Sequence, residues 1–278
     1  MTVFETKDAL VKALQPYRAK HQSTGFVPTM GALHAGHLSL AARARKENDV
    51  VVVSIFVNPT QFNDRNDLAN YPRTLQADAE KLQAGGCDFV FAPSVEEMYP
   101  EKDTRTFDFG LLDKGMEGTF RAGHFNGVAQ IVSKLFDVVQ PDRAYFGEKD
   151  FQQLAIIRYM AQNLRYPVEI VSCPIVREAD GLAMSSRNVR LTPAQRRIVP
   201  VIAQTLLASR GKIAHTPLNE LKKWVSDTIH QTEGLKMEYF EIVDRNTLQT
   251  ADTFRSNALQ GCIAVHAGNV RLIDNISY

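Results

Sequence analysis

Five short apolar runs recur through the first two-thirds of the chain, at residues 24–28, 50–57, 88–92, 143–146 and 168–172. They are rich in Val, Ile and Phe and do not alternate with polar residues, which is the pattern of strands buried on both faces. Helical patterns lie between them at 37–48, 75–84, 127–140 and 150–164. This βαβα order predicts an α/β fold built on a parallel sheet with helices on both faces. Sheets of that kind bind ligands beyond the carboxyl ends of their strands. The residues just after each apolar run are therefore where chemistry is expected.

The texture changes after about residue 180. Thr192 followed by Pro193 predicts a helix start, with a capping hydroxyl and a proline in the first turn. Pro200 is expected to kink that helix. A second helix is expected after Pro217, with Leu218, Leu221, Val225 and Ile229 on one stripe. Three β-like runs follow, at 237–244, 261–267 and 270–276. Helices followed by strands suggest a small α+β domain. Its boundary is expected near 175–180, giving domains of residues 1–176 and 177–278.

Composition excludes several classes. With 32 basic and 31 acidic residues the net charge is +1, so bulk electrostatics give no reason to expect a nucleic-acid partner. The three cysteines, Cys87, Cys173 and Cys262, are far apart and form no CxxC pair. That speaks against a disulfide framework or a zinc site and fits a reducing compartment. The N-terminal stretch has no apolar signal core, and "VVVVSIFV" is too short to span a bilayer. A cytoplasmic protein with no membrane partner is expected.

The first strand end reads "FVPTMGALHAGHLSL" (26–40). His34 and His37 are three apart, so they share a face if the helix has begun there. Gly36 lets a ligand approach the backbone, and the helix start offers free N–H groups to a phosphate. The alternative is a capped helix with two half-buried histidines. The second strand ends in "FVNPTQF", where Asn58 and Gln61 are neutral amides suited to hydroxyl and amide recognition; Asn58 is equally a plain proline turn. Asp78 lies on an amphipathic helix, as a solvated charge or a metal ligand. Arg121 and His124 sit in a glycine-punctuated loop entering a helix, where they suit carboxylate or phosphate binding or belong to the surface.

The fourth strand ends in "AYFGEKDFQQL" (144–154). Gly147 permits close backbone approach, and Lys149 is placed to neutralise triphosphate charge. Asp150 reads as a helix cap or a ribose partner. Gln152 and Gln153 face different directions, so at most one points toward a ligand. "READGLAMSSRN" (177–188) follows the fifth strand with Ser185, Ser186 and Arg187 in succession, a polar loop able to close over a polyphosphate or to serve as a linker. No GxGxxG, P-loop or hydrolytic triad competes. The sum points to a nucleoside-triphosphate site beside a small polar substrate.

Taken together, PTMGALHAGHLSL, FVNPTQF, YPRTLQAD, FGEKDFQQL and VREADGLAMSSRN resemble the pantoate–β-alanine ligase family, in order and over nearly the whole chain. The resemblance implies a Rossmann-like N-terminal domain, a smaller C-terminal lid domain beginning with the MSSR loop, and a homodimer. It implies ATP and Mg²⁺, with pantoate and β-alanine as substrates joined through a pantoyl adenylate. It assigns catalysis to His34, His37, Lys149 and Arg187. Nucleotide binding falls to Met30, Gly31, Ala32, Leu33, His34, Ala35, Gly36 and His37, and to Gly147, Glu148, Lys149 and Asp150. Val176, Met184, Ser185, Ser186 and Arg187 complete that set. Gln61 and Gln153 would bind pantoate, Gln61 also lying near the β-alanine site; Asn58, Arg121 and His124 are further substrate candidates. Asp78 would help hold Mg²⁺. Ala35 stands where the family often has an acidic residue, and Ala122 where proline is common.

Three other functions share part of this pattern. A nucleotidylyltransferase shares HxGH, but should want cations rather than Gln61 and Gln153 around its acceptor. An aminoacyl-tRNA synthetase should carry a tRNA-binding extension. A non-catalytic nucleotide sensor would have little use for HAGH, GEKD and MSSR together.

Overall fold

The computed structural model describes residues 1–255 and 257–278. The chain packs as two compact units. The first comprises Met1–Phe109, Arg121–Glu148 and Gln153–Pro174; the second comprises Gly110–Phe120, Lys149–Gln152 and Ile175–Tyr278.

The first unit holds strands β1 (Thr2–Phe4), β2 (Thr24–Thr29), β3 (Val50–Ile55), β4 (Phe89–Phe91), β5 (Arg143–Gly147) and β6 (Glu169–Cys173). They form one sheet in the order β1-β4-β3-β2-β5-β6, parallel throughout. Its helices are α1 (Lys7–Ala19), α2 (Ala35–Glu47), α3 (Arg65–Ala69), α4 (Leu75–Ala84) and α5 (Val95–Met98). After α6 (Glu117–Phe120), which belongs to the second unit, come α7 (His124–Val139) and α8 (Phe151–Asn163). The apolar runs form strands because crossover helices cover both sheet faces: Val50, Val51 and Val52 are wholly buried. Each such side chain contributes about 1.5–3 kcal/mol by leaving water.

The chain runs outward from β2 to β3 and β4, then returns to place β5 on the other side of β2. Gly25 and Phe26 pair with Arg143 and Ala144. The carboxyl ends of β2 and β5 therefore flank a topological switch point, the place where such sheets bind ligands. Beneath it Asn48 Nδ2 donates to the Tyr145 hydroxyl at 2.7 Å, and that hydroxyl donates to Glu47 Oε2 at 2.8 Å. A Cβ at Gly25 would stand 2.5 Å from Asn48 Nδ2, so this close approach needs glycine.

The second unit pairs helices α9 (Pro193–Ile198), α10 (Pro200–Lys212) and α11 (Leu218–His230) with an antiparallel sheet. That sheet holds β7 (Leu235–Asp244), β8 (Leu259–Ala267) and β9 (Val270–Ser277) in sequential order. Leu218, Leu221, Val225 and Ile229 form the buried stripe of α11 and share a core with Ile202, Leu206, Phe240, Ile242 and Ile263. Thr192 and Gln195 form a reciprocal capping box at the start of α9. Pro200 does not kink one long helix. It opens α10 as a first-turn proline, where its missing N–H costs nothing.

The expected division at 176/177 leaves out two pieces of the second unit, Gly110–Phe120 and Lys149–Gln152. Side chains explain their place. Glu117 is buried and accepts from Arg271 Nη1 and Nη2 at 2.9 and 2.6 Å, and from the Tyr239 hydroxyl at 2.8 Å. Gln152 Nε2 donates to the carbonyls of Leu112 and Gly115 at 2.8 and 3.0 Å, while its Oε1 accepts from Glu117 N at 3.0 Å. No helix among the described residues is long and apolar enough to cross a membrane.

Candidate active site

In the first unit, β2 ends at Thr29 and the chain turns sharply through Met30–Leu33. Gly31 and Ala32 both take left-handed backbone conformations, with φ of +83° and +49°. For Ala32 this costs about 1–3 kcal/mol and must be held from outside. Asp78 supplies the hold. Its Oδ2 accepts from Ala32 N and its Oδ1 from Leu33 N, each at 2.8 Å, and Thr74 Oγ1 donates to it at 3.0 Å. Lys81 Nζ stands 4.0 Å from the same carboxylate and donates to Leu33 O at 2.7 Å.

That turn delivers His34 to the cap of α2. His34 Nδ1 accepts from Gly36 N at 3.2 Å, and His37 Nδ1 accepts from His34 N at 3.4 Å. The two histidines thus form a reciprocal capping box, with ring centroids 4.1 Å apart. Both Nδ1 atoms act as acceptors, so in each neutral ring the hydrogen sits on Nε2. The cap therefore fixes the tautomer: two imidazole Nε2–H donors at a helix N-terminus that already favours anions. At the end of β5, a Cβ on Gly147 would meet nothing within 4 Å, so the backbone borders open space.

Asn58 and Gln61 follow β3. Asn58 is 1% exposed and every group of its amide is engaged. Nδ2 donates to Gly127 O and to Gln61 Oε1, each at 3.0 Å; Oδ1 accepts from the Tyr99 hydroxyl at 2.8 Å and Thr60 Oγ1 at 3.1 Å. Burial pushes the Tyr99 hydroxyl above its ordinary pKa, which keeps it a donor at neutral pH. With Gln61 Oε1 fixed by Asn58, its Nε2 turns to the Met30 sulfur at 3.2 Å. Thioether sulfur is a weak acceptor. Gln61 therefore offers an N–H₂ group to a better acceptor, such as a hydroxyl or carboxylate.

The second unit carries the other expected groups: Lys149, Asp150, Val176, Met184, Ser185, Ser186 and Arg187. Lys149 is mostly buried, with Nζ 3.8 Å from Asp150 Oδ2. Asp150 closes a 3₁₀ turn (Glu148–Asp150) ahead of α8. The 177–188 stretch is a small hairpin in its first half. Arg177 bridges Ala183, Met184 N donates to Val176 O at 3.0 Å, and Gly181 turns the chain at φ +92°. Ser185 then caps a 3₁₀ turn, its Oγ accepting from Arg187 N at 3.2 Å, and Ser186 is buried.

Two expectations are corrected. Asp78 is not placed as a metal ligand: its carboxylate is 0% exposed and spent on two backbone amides and a hydroxyl. Asn58 is not a substrate contact, because Gln61, Gly127, Tyr99 and Thr60 take all of its capacity. His124 is 5% exposed, and its Nδ1 lies 2.8 Å from Gln61 O, so one ring nitrogen supports the Gln61 turn. Arg121 lies half-buried in the turn before α7. Gln152 is buried on carbonyls, whereas half-buried Gln153 has no side-chain partner among the described residues. Tyr99 and Thr60 carried no sequence signal, since their importance comes only from the Asn58 they hold.

The described residues do not fit a resident Mg²⁺. No three His, Cys, Asp or Glu side chains gather to hold an ion, and the expected carboxylate is sealed.

A parallel α/β unit with a histidine-capped helix at its switch point defines a class of proteins built to bind nucleotide phosphates. Comparison with known proteins narrows that class. The pantoate-beta-alanine ligase family model matches residues 2–277. The pantothenate synthetase of Bacteroides thetaiotaomicron is 59% identical over 279 residues, covering 100% of this chain and 99% of the relative. That of Flavobacterium psychrophilum is 47% identical, with the same coverage. The crystal structure of the Thermus thermophilus enzyme superposes with a TM-score of 0.94 at 45% identity, covering 100% and 99% of the two chains. A pantoate-beta-alanine ligase from Francisella tularensis gives 0.84 at 36% identity, covering 100% and 97%. The chain belongs to the pantoate–β-alanine ligase family and is a ligase.

Proposed function

We infer that this chain condenses pantoate with β-alanine to give pantothenate, releasing AMP and pyrophosphate. The Francisella relative was solved in complex with beta-gamma ATP and β-alanine, which supports both ligands here. The single observation that carries the reading is the reciprocal cap of His34 and His37, which sets two Nε2–H donors on the amino end of α2.

The reaction has two steps. A pantoate carboxylate oxygen attacks the α-phosphorus of ATP and the bond to pyrophosphate breaks, leaving pantoyl adenylate. The amine of β-alanine then attacks the acyl carbon; its carbon–oxygen bond to AMP breaks and the amine gives up a proton. In the first step anions meet and charge gathers on the α-phosphoryl oxygens. Donors preorganised toward that charge stabilise the transition state, and losing one typically costs about 10²–10³ in rate. His34 and His37 take that role, and Lys149, Ser185, Ser186 and Arg187 hold the departing phosphates. Gly147, with its open flank, borders the adenosine. Gln61 and Gln153 receive pantoate, Gln61 with the N–H₂ group that Asn58 turns outward. Magnesium enters on the nucleotide. A homodimer in the cytoplasm completes the proposal. Pyrophosphate exchange into ATP, followed with and without pantoate, tests it.

A further inference from the structure

Two residues of β9, Asp274 and Asn275, hold both stretches of the second unit that the functional reading assigns to the triphosphate. Asn275 Nδ2 donates to the main-chain carbonyl of Lys149 at 2.9 Å. Its Oδ1 accepts from Gln260 Nε2 at 2.6 Å, and Gln260 Oε1 accepts from Ser277 Oγ at 3.0 Å. The Gln260 donor fixes which end of the Asn275 amide faces Lys149.

The neighbouring Asp274 is 4% exposed and takes Arg177 in a two-point pair at 2.7 and 3.0 Å. Asp274 Oδ1 also accepts from Asn275 N at 2.7 Å. Arg177 in turn donates to Gly181 O at 3.0 Å and Asn275 O at 3.3 Å. Arg177 and Gly181 belong to the hairpin that leads into Ser185–Arg187. One dipeptide thus fixes the main chain of Lys149 on one side and the base of the serine–arginine turn on the other. A buried ion pair is a weak source of stability, since desolvation offsets its attraction, so the arrangement calls for another explanation. Burial indeed pushes the Asp274 carboxyl above its ordinary pKa, against the pull of Arg177.

We propose that Asp274 and Asn275 are positioning residues for the adenylation step, setting Lys149 and the Ser185–Arg187 turn in one mutual arrangement so that both engage the triphosphate together. The proposal rests on the reading of those groups as triphosphate ligands. It predicts a selective defect, because aminolysis of a finished adenylate involves no triphosphate. A misplacement of about 1 Å can cost about 10²-fold.

The test measures the two half-reactions separately on the full chain. Asn275→Ala should lower pantoate-dependent pyrophosphate exchange by about 10- to 100-fold. Its aminolysis of supplied pantoyl adenylate by β-alanine should stay within about twofold of the parent. If that variant does not fold, Arg177→Lys keeps the charge but loses the two-point geometry, and should show the same selectivity. Equal losses in both half-reactions would mean a general structural role and overturn the proposal, as would unchanged exchange. Lys149→Ala separates the two levels. If it leaves exchange intact, the triphosphate reading itself fails. If it abolishes exchange while Asn275→Ala does not, only the positioning proposal fails.

Discussion

Replacing Asp78 with asparagine puts the sharpest strain on the first-unit site. The side chain keeps its shape but loses one acceptor, so its N–H₂ must face one of the amides of Ala32 or Leu33. Both bonds now measure 2.8 Å and lie in a side chain with no exposure. A hydrogen bond to a charged group is worth about 1.5–3 kcal/mol, and the stranded donor adds to the loss. The turn it restrains holds Ala32 at φ +49°, a conformation that relaxes once the clamp is gone. At 1.4 kcal/mol per factor of ten, about 1.5–3 kcal/mol lowers the population of the competent turn about 10- to 100-fold. Asp78→Asn should therefore lower kcat/KM for ATP in pyrophosphate exchange by about that factor, with a fall in the urea midpoint. Added Mg²⁺ should not restore the rate. Restoration by excess Mg²⁺ would make Asp78 a metal ligand and refute the clamp, and so would unchanged kinetics with unchanged stability.

Two further outcomes follow from particular contacts. In Gly127→Ala the new Cβ would stand 2.4 Å from Thr60 O, a main-chain atom that cannot step aside cheaply. The strain, about 1–3 kcal/mol, falls on the turn carrying Asn58 and Gln61, so KM for pantoate should rise while KM for ATP holds; equal effects on both would contradict this. Arg105 holds the Asp103 carboxyl down to about 2, below the usual value of about 3.9. A depressed carboxyl stabilises the fold above its unfolded pKa and loses that contribution as pH falls through the folded value. Acid unfolding should therefore steepen between about pH 4 and pH 2, and Asp103→Asn should flatten that limb; an unaltered acid limb would refute it.

Much of this molecule is written locally. Short, β-branched runs such as Val50–Val53 read as strands covered on both faces, and the stripe of Leu218, Leu221, Val225 and Ile229 reads as a buried helix face, as both prove to be. The three-residue β1 and the polar helix α1 were not anticipated, because three residues carry no periodicity and α1 buries only Leu10 and Leu14. The histidine pair was legible as a helix start, but its reciprocal cap was not, since that depends on ring orientation. Asn58 and Asp78 show the harder limit. A polar residue built to bind a ligand and one built to satisfy the fold look alike in sequence. The partner decides, and for Asn58 it is Gly127, 69 residues away. The adjacent glutamines were separable because neighbours on a helix face different ways: Gln152 went to the fold and Gln153 to the half-exposed side. Recruitment of Gly110–Phe120 to the second unit was not legible at all. It rests on Glu117 and Arg271, which are 154 residues apart.

Everything in the proposed chemistry turns on a carboxylate being activated on ATP before any amine arrives. Pyrophosphate exchange into ATP, measured with the purified chain, Mg²⁺, and pantoate but no β-alanine, isolates that step. Exchange should require pantoate and should drop about 10²–10³-fold in His37→Ala. Exchange that proceeds without pantoate, that needs β-alanine, or that fails altogether in a folded, ATP-binding protein would show that no such activation takes place.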